Sequence, residues 1–137
     1  MGVAALITWV ITALGGFVLL ATWLGRGGLR ARDAGASRFP PGLIFGHFLL
    51  AAVGLVIWII YVITDTDSLT WVALAILVVV ALLGFTMLGR WRQGRAASGV
   101  VAADAPPEQH FPVAVVVLHG LLAVTTVVLV LLVALGS

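Results

Sequence analysis

The sequence predicts an all-α membrane protein: a bundle of four transmembrane helices built from two parallel helical-hairpin repeats. Three observations predict it: an extreme composition, four long apolar segments, and a pattern that recurs between the two halves. Of the 137 residues, 63% are hydrophobic and 9% charged, against about 45–50% and about 25% in soluble domains. The mean hydropathy is +1.26. Such a chain is no cytosolic enzyme, disulfide scaffold or disordered tail, and it forms one domain over residues 1–137 whose solvent is the bilayer. There is no Cys, which excludes disulfides, iron–sulfur clusters and thiolate metal sites. Seven Arg against five acids leave a charge of +2, too small and too dispersed for nucleic-acid binding.

The four apolar segments are Val3–Leu24, Pro41–Ile63, Leu69–Leu88 and Phe111–Leu135, and none contains Asp, Glu, Lys or Arg. Each reaches the roughly 20 residues that a helix needs to cross the hydrocarbon core at 1.5 Å per residue. The alternation of about ten residues that marks a membrane-spanning strand is absent. The first segment has no basic residues before it and runs directly into Arg26. It therefore reads as a retained helix and not as a cleaved signal peptide.

Charge placement gives the expected orientation. Arg26, Arg30, Arg32 and Arg38 lie between segments one and two, and Arg90, Arg92 and Arg95 between segments three and four. The connection from Thr64 to Thr70 carries only Asp65 and Asp67. By the positive-inside rule, both Arg-bearing loops face the cytoplasm and both termini face outward, in an inner or plasma membrane. Trp9, Trp71 and Tyr61 are then expected at the outer interface and Trp23 and Trp91 at the inner one, as an aromatic belt. The stretch from Gln93 to His110, with its Ala, Ser and Gly followed by Pro106 and Pro107, reads as a flexible cytoplasmic linker.

The repeat places residues 1–64 against residues 69–137. Segment two opens FPPGLIFGHFLLA (Phe39–Ala51) and segment four opens FPVAVVVLHGLLA (Phe111–Ala123), with Phe, Pro, His, Leu, Leu and Ala in one register. Segments one and three share TWV, a Gly-Phe pair (Gly16-Phe17 and Gly84-Phe85) and LGR. Two hairpins of one orientation, related by an axis along the membrane normal, would produce this pattern. Pro40, Pro41 and Pro112 open their helices, where a missing N–H costs nothing.

His47 and His119 each follow a helix-opening Pro by seven residues, which puts both about 10 Å inside the Arg-bearing end. An up-down-up-down bundle sets their two helices on a diagonal of roughly 11–14 Å. That gap suits a flat macrocycle held between two imidazoles, and His is a standard axial ligand of haem iron. Gly46 beside His47, Gly120 beside His119, and Gly54, Ala51, Ala123 and Thr126 on the same faces offer surfaces without bulk. Gly84 reaches a similar depth. Arg26, Arg38, Arg90 and Arg92, helped by His110, are the cations available for two propionates. The same residues have plainer readings. Small residues let membrane helices approach one another, an intramembrane His can hydrogen-bond a neighbouring helix, and Met87 packs. Thr125 and Thr126 bond back to their own helix.

A four-helix membrane protein with intramembrane His on two helices resembles the membrane-bound b-type cytochromes, including the cytochrome b561-like group. The resemblance implies a haem b bound by His47 and His119 as axial ligands, and an exchange of electrons with a quinone or respiratory partner or a role in haem handling. Members of that group typically carry two haems on four His. This chain has the residues for one, and its outer half has no His, which leaves transfer across the membrane by one subunit without a second centre.

Other classes compete. A two-His copper or zinc site uses the same pair. A cofactor-free accessory subunit of a larger membrane complex would use it as a link between helices. A proton-coupled transporter would carry an intramembrane carboxylate, a channel would need a polar stripe or filter motif, and neither is visible. Signatures of soluble-type enzymes are absent. A short apolar bundle of this kind is also a candidate homo-oligomer.

Overall fold

Inside a bilayer the backbone has no water to bond, so each apolar segment must satisfy its own N–H and C=O groups, and a helix does this within one segment. The computed structural model describes residues 1–98 and 104–136, and all the regular structure among them is helical, with no strand. The elements are α1 (Gly2–Gly25), α2 (Gly28–Asp33), α3 (Pro41–Thr64), α4 (Ser68–Ser98), a 3₁₀ turn (Pro107–His110) and α5 (Val113–Ala134). Helices α1, α3, α4 and α5 are long and apolar enough to cross a membrane.

The helix ends follow local chemistry. α3 and α5 start at Pro40 and Pro112, both in extended backbone. α3 stops where Asp65 enters the left-handed region at φ 53° and its N–H returns to the Tyr61 carbonyl at 2.8 Å. Gly27, at φ 75°, turns the chain from α1 into α2. The next residue, Gly28, lies under the Trp23 indole, where any Cβ would collide with the ring. α4 runs ten residues past the expected end at Leu88, because its Arg, Gln and Ala are strong helix formers. The expected flexible linker is therefore helical at its start and a 3₁₀ turn at its end, and its residues 99–103 lie outside the described residues.

The four long helices close a ring. α1 packs most extensively on α5 and α3 on α4, while α1–α3 and α4–α5 complete the circuit. α3 and α5 thus face each other across a diagonal. Two apolar clusters fill the interior. One holds Ala5, Trp9, Trp58, Ala73, Leu77 and Val130. The other, at the Arg-bearing end, holds Trp23, Phe39, Ile44, Trp91 and Phe111. Trp9, Trp23 and Trp91 are therefore core residues, which corrects their assignment to an aromatic belt; of the tryptophans read as anchors, Trp71 is the exposed one. Their size explains the difference, since an indole fills the space between helices that have Gly or Ala opposite. Gly54 meets Trp9 in this way, with a Cβ position 3.0 Å from the indole.

Beneath the Arg-bearing end, the two loops are fastened together by a buried acid. The Glu108 side chain is wholly buried. Its carboxylate accepts from the Ser37 hydroxyl at 2.9 Å and from the Arg38 N–H at 2.8 Å, and Arg90 donates to the Arg38 carbonyl at 3.0 Å. Removing an acceptor from buried donors costs about 1–3 kcal/mol. Glu108→Ala is expected to lose stability in that range and Glu108→Gln less, since its amide oxygen still accepts. Thermal unfolding in detergent measures both.

Candidate functional site

Between the two apolar clusters lies the pair of imidazoles. His47 stands on α3 and His119 on α5, and their ring centroids are 6.3 Å apart with the planes inclined at 57°. Each ring is held by a different neighbouring helix. His47 Nδ1–H donates to the Val80 carbonyl of α4 at 3.0 Å, and His119 Nδ1–H donates to the Thr12 carbonyl of α1 at 2.9 Å. A carbonyl only accepts, so these bonds place the proton on Nδ1. In the neutral ring Nε2 then carries the lone pair, the arrangement typical of a metal-binding His with its other nitrogen tied to the protein.

Two glycines allow the rings to seat against the neighbouring helices. A Cβ on Gly84 would lie 3.2 Å from His47 Cε1, and a Cβ on Gly16 would lie 3.2 Å from His119 Cε1. Both fall one turn beyond the carbonyl that receives the bond, so each imidazole lies along one turn of a helix that has no side chain there. Gly15 also borders His119, with its Cβ position 3.5 Å from that ring's Nδ1. A groove of about 240 Å³ between α1 and α5 reaches His119 past this residue.

Threonines add a polar lock on the α1–α5 side. Thr126 Oγ1 is buried, lies 3.0 Å from Thr8 Oγ1 and is within hydrogen-bond distance of the Leu122 carbonyl, while Thr12 donates to the Thr8 carbonyl at 2.7 Å. Thr126 therefore bonds across to another helix as well as back to its own. Thr125 bonds back alone, to Leu121. Hydrogen bonds between membrane helices average about 0.6 kcal/mol, so Thr126→Val is expected to lower stability by about that amount. Unfolding in mixed detergent and denaturant checks it.

The other expected site residues are distributed differently. Gly46 and Gly120 adjoin the His residues, and a Cβ on either would meet nothing within 4 Å. Gly54 lies two turns away and is covered by Trp9. Arg26 and Arg38 are exposed, and Arg90 is engaged with the Arg38 carbonyl. Met87 packs against the cluster of Trp23 and Trp91. His110 is half-buried in the 3₁₀ turn. The residues not anticipated were Thr12 and Val80, which act through backbone carbonyls that no side-chain pattern announces, and Glu108 with Ser37. Glu108 stands three residues before Phe111-Pro112 and Ser37 two residues before Phe39-Pro40, positions that do not by themselves announce a contact.

No group of three or more His, Asp or Glu that could enclose a metal ion occurs among the described residues. The donor set for any metal here is two imidazoles. No protein-family model matches the sequence, and no curated protein or solved structure matches it significantly.

Proposed function

We propose that this chain is a membrane haem b protein, with His47 and His119 as axial ligands near the cytoplasmic face, acting in electron transfer or haem handling. The observation that carries this reading is the spacing of the rings. The ring centroids are 6.3 Å apart, close enough that both imidazoles could hold one metal ion between them. The Nδ1–carbonyl bonds leave Nε2 of each ring as the donor, which fits axial ligation. Two donors also suit a metal whose remaining positions a macrocycle fills, and fall short of a zinc cage of four ligands. Haem would supply one-electron chemistry at this depth. The protein's part is to fix both ring orientations through α1 and α4, to keep bulk away at Gly16 and Gly84, and to exclude water with the apolar clusters above and below.

The paired contacts support the two-repeat reading in one register. Ala5 and Ala73, Thr12 and Val80, Gly16 and Gly84, and Trp23 and Trp91 are each 68 residues apart and play matching parts. The shared TWV and LGR triplets are 62 and 64 residues apart and fall outside that register. The Arg-bearing loops and the positive-inside rule support an orientation with both termini outside.

A second reading has its own support. Each imidazole already bonds a neighbouring helix, so the pair would serve as interhelical links in a cofactor-free subunit of a larger complex. The visible spectrum of the purified protein, oxidised and reduced, separates the two. A Soret band with sharpened α and β bands on reduction supports haem, and a protein that stays colourless when haem is added overturns it. Metal analysis of the same sample tests the copper or zinc site.

A further inference from the structure

At the Arg-bearing end, where α1 turns into α2, a cavity of about 310 Å³ is lined by Leu24, Gly25, Gly27, Leu29 and Arg30. We propose that it binds the phosphate headgroup of an acidic phospholipid. This site is separate from the imidazole pair and does not depend on what that pair holds.

The wall has the two chemistries that such a lipid needs. Leu24 and Leu29 are 41% and 49% exposed, an apolar rim suited to the upper part of an acyl chain. Arg30 supplies the cation, and among the described residues its guanidinium has no hydrogen-bond or ion-pair partner. The glycines make the room: nothing lies within 4 Å of a Cβ on Gly25 or Gly27. The carbonyl end of α1, which would repel an anion, is partly closed on itself. Arg26 N–H returns to the Thr22 carbonyl and Gly27 N–H to the Leu24 carbonyl, both at 3.0 Å.

Charge complementarity selects the occupant. By chain position all seven Arg belong to this end, together with Asp33, Asp104 and Glu108, and the two remaining acids lie at the opposite end. Glu108 is buried against Ser37 and Arg38 and so faces away from the surface. The result is a strongly cationic collar at membrane-headgroup depth, and basic pockets beside membrane helices are where anionic headgroups bind. A lipid is favoured over free phosphate because half of the wall is apolar.

The test is native mass spectrometry of the full chain in detergent, with equal phosphatidylglycerol and phosphatidylcholine added. The wild type is expected to retain one phosphatidylglycerol in preference. Arg30→Gln should weaken retention about fivefold, the worth of one Arg near an anionic surface. Gly25→Leu, which fills the cavity without changing charge, should abolish it. Arg92→Gln removes the same charge elsewhere on the collar and should leave it unchanged. Equal losses in Arg30→Gln and Arg92→Gln, or full retention in Gly25→Leu, would overturn the site in favour of diffuse attraction. Displacement of the lipid by millimolar inorganic phosphate would overturn the lipid as its occupant.

Discussion

Replacing either His47 or His119 with alanine is expected to remove the sharp reduced α and β bands of the proposed haem. Loss of a partner behind a metal ligand already costs about 10–100-fold in affinity, and loss of the ligand itself costs more. Each variant leaves one imidazole whose Nδ1 is still tied to its carbonyl, so weak residual binding with broadened bands is the most that either should retain. Both variants should remain folded. The hydrogen bond lost, His47 to Val80 or His119 to Thr12, belongs to a class worth about 0.6 kcal/mol and at most about 1.7. Absorbance and thermal unfolding on the same samples give both quantities. If the wild type takes up no haem and each alanine variant loses only this increment of stability, the residues are links between helices and the haem proposal fails.

The second large effect is expected at the glycines facing the rings. The Cβ positions of Gly16 and Gly84 stand 3.2 Å from the Cε1 atoms of His119 and His47. Alanine requires a shift of a few tenths of an ångström, and leucine requires the ring to leave. Gly84→Leu should therefore break the His47–Val80 bond and Gly16→Leu the His119–Thr12 bond, each at a cost of about 1–3 kcal/mol from overpacking and with loss of haem retention. Imidazole NMR signals identify which ring has moved. Displacement of His47 by Gly16→Leu, or a wild-type spectrum in either leucine variant, would contradict the assignment of each glycine to one ring.

The helices and the two His were legible in the sequence for one shared reason. A bilayer admits so few polar groups that uninterrupted apolar stretches declare themselves, and an imidazole inside one stands out. The inward faces were not legible. A helix surrounded by lipid is apolar all round, so its pattern carries little information about which side meets another helix. Trp9, Trp23 and Trp91 accordingly looked like interfacial anchors and are core. The burial of Glu108 depends on two loops that meet only in the folded chain, Ser37–Arg38 and Pro107–His110, and no local signal encodes that meeting. The acceptors of the two imidazoles are backbone atoms, identical at every residue, so only the packing of α1 on α5 and of α3 on α4 could reveal them.

That packing bears on the order of assembly. The chain makes α1 first and α5 last, yet α1 finds its most extensive partner in α5. Helices α3 and α4 are consecutive and can zip together as they leave the insertion machinery, with His47 already meeting its carbonyl. Until α5 arrives, the only long helix on which α1 packs extensively is α3, through its lesser seam, and the Gly15–Gly16 surface that will receive His119 is left to lipid. A chain stopped after Ser98 should thus hold α3 and α4 together and leave α1 free to exchange, as cysteine crosslinking between helices would report. The arrival of α5 closes the first half and completes the imidazole pair in one step, so a chain that stops short of α5 cannot hold the site.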